Sequence, residues 1–551
     1  MSSLNGLQFA KMVEMGAHHL QQNADYVDSL NVFPVPDGDT GTNMNLSMTS
    51  GAKETELHAQ EHIGLTAQAF SKGLLMGARG NSGVILSQLF RGFSKQIENE
   101  AAVTVKQFAE ALKYGVDTAY KAVMKPVEGT ILTVAKDASN AAVSAIEEAA
   151  DLTQLLETVV KEAKASLKRT PDLLPVLKEV GVVDSGGQGL VYVYEGFLAC
   201  LKGEDLPEKT VVHSMEDLVN TEHHRSVQGF MNAEDIEFGY CTEFMVKLDA
   251  GKQLEQPFDE SVFRQDLSEM GDSLLVISDD EVVKVHIHTE EPGDALSYGQ
   301  KYGSLTKMKI ENMREQHNDI MERDRVPKVV KQQHKYAIVT VSMGSGIAEL
   351  LKSIGASAVI EGGQTMNPST EDIVKAIQEI GAEKVLILPN NKNIVMAAEQ
   401  AAEVLEIEAA VVPTTSVPEG LAAILAFNPE ATVEKNALAM REAASYVKTG
   451  QVTYAVRDTS IDGVTIRKDD FMGIAQGKIT SSNPSLEEVT KKLIASMIDE
   501  EDEIVTVIYG EDVSSEDAKE IGSYIEEQFD HVDVELYAGK QPLYPYIFSV
   551  E

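Results

Sequence analysis

Asn31-Val32-Phe33-Pro34-Val35-Pro36-Asp37-Gly38-Asp39-Thr40-Gly41-Thr42-Asn43-Met44 interrupts an otherwise helical N-terminal region. Pro34 and Pro36 end the amphipathic helical pattern of residues 7–29, because proline cannot continue a helix. Asp37 and Asp39 are one residue apart, so two carboxylates in a loop can face one hard cation. Mg²⁺ takes about six oxygens, usually one or two carboxylates plus phosphates and water. Gly38 and Gly41 let the backbone approach a ligand, and Thr40, Thr42 and Asn43 offer donors to phosphate oxygens. Taken alone, Asp-Gly-Asp is equally a plain turn.

Downstream, three more polar, glycine-containing breaks each precede a helical pattern. The first is Met76-Gly77-Ala78-Arg79-Gly80-Asn81-Ser82-Gly83, whose Asn81 or Ser82 can cap the next helix and whose free N–H groups suit an anion. It matches neither the P-loop nor the Rossmann fingerprint. The second is Lys125-Pro126-Val127-Glu128-Gly129-Thr130, and the third is Gly181-Val182-Val183-Asp184-Ser185-Gly186-Gly187. Separately, Thr130 reads as an N-cap and Asp184 as a turn residue. Between these breaks, 70–76, 84–93, 104–123, 131–150 and 152–167 carry apolar residues at spacings of three and four, which predicts a helical bundle with a site at its rim.

The ordered set PDGDTGTNM, GARGNSG, PVEGT and DSGG resembles the DhaL/Dak2 nucleotide-binding domain of the dihydroxyacetone kinase superfamily. The resemblance covers about 200 residues and implies an antiparallel helical barrel that binds Mg²⁺-ATP at one rim. It implies that Asp37 and Asp39 hold Mg²⁺ and carry catalysis. It further implies that Thr40, Gly41, Thr42, Asn43, Asn81 and Ser82 contact phosphates, that Thr130 borders the adenine, and that Asp184, Ser185 and Gly186 close the site. Arg169 lies about where the family places a nucleotide-contacting arginine. The family's third aspartate is replaced by Asn31 at a longer spacing, which leaves one or two Mg²⁺ open. No general base is evident in these motifs; His18 and His19 are the nearby candidates, in the first helix.

Residues 205–328 change character. Strand-like runs 243–248, 273–278 and 282–288 and a helix over 257–270 predict a small α+β domain, with 307–333 a helix plus linker. His286 and His288 alternate, so a strand presents both on one side, and Cys241 precedes the first strand. One Cys and two His suit Zn²⁺, though a buried Cys and a strand-edge His pair fit equally. Residues 329–551 alternate strand and helix from Tyr336 to Pro413, which predicts a parallel α/β sheet.

The whole chain resembles the YloV-like, FakA-type fatty acid kinase family. That resemblance implies three domains: a DhaL-like kinase domain (1–204), an α+β middle domain (205–328) and a DegV-like α/β domain (329–551). It implies zinc on Cys241, His286 and His288, with water, phosphate or His213 as the fourth ligand, and dimerisation. It implies phosphorylation of a fatty acid carboxylate held by a separate DegV-type fatty-acid-binding protein. Thr365-Met366-Asn367-Pro368-Ser369 loosely resembles the DegV carboxylate loop, but Val341 follows Thr340 where an aspartate is usual, so this domain reads as a docking platform. A small hydroxy-ketone kinase and a non-catalytic ATP-binding scaffold are the alternatives.

Composition is consistent with this. The 551 residues are 43% hydrophobic and 24% charged, with a formal net charge of −40, which disfavours nucleic acid and anionic membranes as partners. Two cysteines, Cys200 and Cys241, make no disulfide framework and suit a reducing cytoplasm. No apolar run approaches the roughly 18 residues of a membrane span.

Overall fold

The computed structural model describes residues 3–32, 38–123, 125–204, 238–248, 258, 260–278, 282–312, 334–363, 367–461 and 463–551. Contacts divide the chain into two units, residues 1–212 with 333–551, and residues 213–332.

In the first unit, helices α1 (Gly6–Gln22), α2 (Ala24–Ser29), α3 (Thr40–Leu57), α4 (Ile63–Gly77), α5 (Gly80–Gln96), α6 (Val105–Ala122), α7 (Ile131–Ser144), α8 (Leu152–Leu173), α9 (Pro175–Val180) and α10 (Ser185–Lys202) form the N-terminal half. A short antiparallel pair, β1 (Ser3–Asn5) and β2 (Ala102–Thr104), ties its start to the entry of α6. Neighbours in sequence pack on one another from α3 to α8. Helix α10 packs on both α8 and α1, and α1 on α3 and α4, which closes the ring. Within a largely aliphatic interior, aromatic rings meet one another. Phe9 stacks on Phe93 at 5.7 Å, Phe93 meets Phe108 edge-on at 5.2 Å, and Phe90 meets Phe197 at 5.9 Å. Burying each such ring stabilises by roughly 1.5–3 kcal/mol.

The described residues of the C-terminal half of the same unit form two larger sheets and a separate two-stranded hairpin. Strands β7 (His334–Ser342), β8 (Ala358–Glu361), β9 (Ala382–Leu388) and β10 (Glu408–Val411) pair in the order β10-β9-β7-β8, all parallel. Helices α11 (Ser345–Ser353), α12 (Thr370–Ile380) and α13 (Val395–Val404) connect them, as the alternation predicts. Then follow α14 (Val417–Leu425), α15 (Val433–Ser445), β11 (Lys448–Tyr454), the hairpin β12 (Thr459–Ile461) and β13 (Val464–Ile466), β14 (Phe471–Ala475), β15 (Lys478–Asn483), α16 (Leu486–Ala495), β16 (Ile504–Tyr509), α17 (Ser515–Gln528), β17 (Asp533–Ala538) and β18 (Tyr546–Val550). The second sheet is mixed, with only β16 and β17 parallel.

The two halves share a core. Ala78 and Val84 of the helical half lie in one apolar cluster with Val339, Val341, Ile373 and Ala397. Thr370 N–H donates to Ala78 O at 3.2 Å, and Gln400 Nε2 donates to Leu75 O at 3.0 Å.

The second unit is an antiparallel sheet in the order β4-β5-β3-β6, formed by β3 (Tyr240–Leu248), β4 (Gly271–Ser278), β5 (Val282–Thr289) and β6 (Gly303–Asn312). Helices Glu260–Ser268 and Pro292–Gln300 complete it. Lys307–Asn312 is strand and not the expected helix: it continues β6, which pairs antiparallel with β3. Residues 313–333 lie outside the described residues. No described helix is long and apolar enough to cross a membrane.

Candidate functional site

Helices α3, α5, α7 and α10 alternate with returning helices around the ring, so their N-termini lie at the same rim. Residues at those four starts line one cleft of about 720 Å³: Asp39, Thr40 and Asn43; Asn81 and Ser82; Thr130 and Ile131; Asp184, Ser185 and Gly186. A helix start carries N–H groups without intrahelical partners and about half a positive charge, which suits an anion. Asp28 takes N–H groups of α3, and Asp184 takes those of Ile131 and Gly187 at α7 and α10, which leaves the start of α5. Helix α5 begins with no side-chain cap. Gly80 there has φ of +56°, and a Cβ would come within 2.6 Å of Asn43 Nδ2.

Asn31 also lines the cleft. Its Oδ1 accepts from Thr40 Oγ1 at 2.6 Å and Ser185 Oγ at 3.5 Å, which joins two of the predicted loops. Asp184 caps α10, accepting from Gly187 N at 2.7 Å, and also takes the Ile131 N–H at the start of α7. Burial pushes its carboxyl up to about 6, against those bonds. Asp39 Oδ2 accepts from Asn367 Nδ2 at 2.5 Å.

Three residues stand elsewhere. Gly41 N and Thr42 Oγ1 donate to Asp28 at 2.6 and 2.7 Å and do not line the cleft. Arg169 pairs with Asp137 at 2.9 Å and Glu162 at 2.8 Å, outside the cleft, because an exposed guanidinium finds the nearer acids of its own helix and of α7. Asp37 lies outside the described residues. So do the side chains of Cys241 and His286, and His213 entirely. The backbone register sets Cys241 opposite His288 and Glu243 opposite His286 across β3 and β5. Among the described residues, no group of three or more metal-ligating side chains is gathered.

The sequence reading missed Asp28. Its carboxylate takes Gly41 N, Thr42 N and Thr42 Oγ1, fixing the first turn of α3. Burial drives its carboxyl up to about 7, although those hydrogen bonds pull the other way. An Asp in a helix twelve residues before Thr40 carries no motif.

Curated relatives match over the whole length. Protein YloV of Bacillus subtilis is 59% identical over 552 residues, covering 100% of this chain and 99% of that one. An uncharacterized protein of Staphylococcus epidermidis is 54% identical over 555 residues, covering 100% of both. Family models match in chain order: the DAK2 domain over residues 34–199, the middle domain of FakA-like fatty acid kinase proteins over 237–320, and their C-terminal domain over 337–551.

The chain belongs to the FakA-like fatty acid kinase family.

It thus joins a helical Dak2 kinase-family domain, an α+β middle domain and an α/β C-terminal domain. Among solved structures, a DegV-family protein from Ruminococcus gnavus aligns with a TM-score of 0.30 at 15% identity, covering 40% of this chain and 100% of that one. The dihydroxyacetone kinase from C. freundii, in complex with AMP-PNP and Mg²⁺, aligns with a TM-score of 0.28 at 22% identity, covering 36% of this chain and 34% of that one.

What no family motif of the kinase domain announces is the opposite wall. Asn391, Lys392, Thr415, Thr449, Gln451 and Tyr544 of the C-terminal half line the same cleft. Arg79 fastens the two walls, donating to Asn367 O at 2.7 Å and pairing with Asp372 at 3.2 Å. Arg457 donates to the carbonyls of Ser29, Asn31 and Val32, which precede the Asp37–Asp39 run in sequence. Asn367, in the run that loosely resembles the DegV carboxylate loop, donates to Asp39.

Proposed function

We propose that this chain is an ATP-dependent kinase that phosphorylates the carboxylate of a fatty acid held by a separate DegV-type protein, giving an acyl phosphate. The observation that carries the nucleotide part is the convergence of four helix N-termini and Asp39 on one cleft. Membership of a kinase family with FakA-like middle and C-terminal domains supports the acceptor.

The oxygen donor set fits Mg²⁺. Asp39 lines the cleft, and Asn81 Oδ1 and Asn367 Oδ1 are buried without a hydrogen-bond partner among the described residues. Asp37 and Asp39 would hold the ion, one or two in number. Bound there, Mg²⁺ supplies charge neutralisation at the β- and γ-phosphates. The chain's own part is positioning: the N–H groups at the start of α5 orient phosphate oxygens, Asn31 aligns the Thr40 and Ser185 loops, and Asp184 fixes the starts of α7 and α10.

Among the described residues, the carboxylates of the cleft are already engaged: Asp39 by Asn367, Asp184 by two helix starts, Glu419 by Thr415 N and Oγ1 at 2.5 and 2.8 Å. His19, a candidate base by sequence, lies in another pocket against Glu195 and Tyr192. A carboxylate acceptor suits this site, being ionised near neutral pH with no base required. The test is hydroxylamine trapping with ATP, Mg²⁺ and an oleate-loaded DegV-type protein. Acylhydroxamate is expected only when all are present. Its absence, with dihydroxyacetone phosphorylated or ATP bound without transfer, overturns the reading.

Zinc on Cys241, His286 and His288 and a homodimer through the middle domain belong to the same proposal. The β3–β5 register supports the zinc site, since it sets Cys241 beside His288. Cys241→Ala should lower bound zinc in metal analysis of the purified chain; unchanged zinc overturns that site.

A further inference from the structure

The cleft has to hold polyphosphate, yet its lining is poor in cations. Asp39, Asp184 and Glu419 are its acids, and Lys392 is the only Lys or Arg among the described residues that line it. Lys392 comes from the C-terminal half, on the loop that follows β9 at the carboxyl end of the parallel sheet. Ligands of open parallel sheets sit at such strand ends.

That loop is rigidly built. Asn390 has φ of +54°, a left-handed conformation that its side chain compensates. Its Nδ2 donates to Thr340 Oγ1 at 2.7 Å and Val341 O at 3.1 Å, and its Oδ1 accepts from Thr414 Oγ1 at 2.8 Å. Asn390 N–H donates to Thr414 Oγ1 at 3.1 Å. Asn391 Oδ1 accepts from Asn393 N at 2.8 Å, closing a tight turn around Lys392. Asn390 and Thr414 are buried, so a fully paired polar network anchors the loop to β7 and to the loop after β10. Arg79, Asn367 and Arg457 then hold this half against the helical rim.

We propose that Lys392 is the cation that contacts the transferring phosphoryl group, so the phosphoryl-transfer site is composite and the C-terminal half supplies its catalytic charge. The inference rests on the MgATP reading above. Charge on the γ-phosphoryl oxygens grows or redistributes during transfer, and a preorganised cation there acts as the cis-supplied arginine of other phosphoryl-transfer enzymes does. Phosphates nearer the ribose are met by helix N-termini and do not need it.

The test compares nucleotides that differ at the γ position, using the full chain with Mg²⁺. Isothermal titration with ADP and with AMP-PNP is done on wild type, Lys392→Gln and Lys392→Arg. ADP affinity is expected to stay within about twofold in all three, and AMP-PNP affinity to fall roughly 10- to 100-fold in Lys392→Gln, with partial recovery in Lys392→Arg. Equal AMP-PNP to ADP ratios in wild type and Lys392→Gln overturn the assignment while leaving the nucleotide site standing. Failure of wild type to bind either nucleotide overturns the MgATP reading and this inference with it. An equal loss of both nucleotides in Lys392→Gln marks a merely structural residue and also overturns it.

Discussion

At the scale of single residues, two side chains outside the kinase-domain motifs hold Asp39 and the first turn of α3. Asn367 is almost fully buried and holds Asp39 Oδ2, which orients the carboxylate before any ion arrives. Outer partners of this kind typically matter roughly 10- to 100-fold in metal affinity. Asn367→Ala should therefore raise the Mg²⁺ concentration needed for half-maximal ADP binding roughly tenfold, read by titration at fixed nucleotide; no change would remove the positioning role. Asp28 works from the other side, on the backbone of Gly41 and Thr42. Its carboxyl titrates at about 7 when folded against an ordinary 3.8. A raised carboxyl contributes its full stability below the unfolded value and loses it as pH rises through the folded one. The metal-free protein should lose about 4 kcal/mol from this group between about pH 4 and 8. Asp28→Asn should flatten that slope in thermal melts, and an unchanged slope would show that Asp28 does not titrate as described.

At the scale of elements, several boundaries follow from side chains competing with the backbone. The pattern over 7–29 reads as one helix, but two form. Asn23 Nδ2 donates to His19 O at 2.8 Å and breaks the ladder there. Helix α8 runs on past Pro171, which has no N–H for Leu167 O. Thr170 Oγ1 donates to that carbonyl at 2.7 Å and accepts from Asp184 N at 3.1 Å. Thr170→Val should cost about 1–3 kcal/mol in denaturant unfolding, because it leaves two buried partners unmet; a value near zero would contradict this account. Helix α3 is set by close packing. A Cβ on Gly41 would lie 2.0 Å from Ala24 O and 2.9 Å from Val27 Cβ. Gly41→Ala should lower the unfolding midpoint by an amount equivalent to about 2 kcal/mol, with nucleotide binding lost alongside.

At the scale of the molecule, residues more than three hundred apart in sequence share the site. The apolar cluster joining Ala78 and Val84 to the parallel sheet supplies the adhesion, and Arg79 supplies the register. The Arg79–Asp372 pair is partly exposed, so a double-mutant cycle in urea should return a coupling of about 0.5–1 kcal/mol. A coupling near zero would mean that the carbonyl of Asn367 alone fixes Arg79.

Most of the kinase rim was legible in the residues themselves. Glycine and acid placed before an apolar helical pattern announce a helix start, but Asp39, Asn81, Thr130 and Asp184 each read locally as turn or cap residues too, and the ordered set of four motifs with its family resemblance is what joined them into one site. The alternation from Tyr336 to Pro413 likewise announced a parallel sheet, because period and length are local properties. Gly41 and Thr42 were legible as part of a loop, but their direction was not, since it depends on Asp28 across a helix turn. Arg169 fitted a position in a motif and then met nearer acids. Lys392 and Arg457 carried no local signal, and Asn367 stood only within a loosely DegV-like run that says nothing of Asp39. Their place in the cleft (Lys392) or against the helical half (Asn367, Arg457) is decided by how the C-terminal half packs on the helical one, a contact made in part by apolar side chains whose partners no spacing can name.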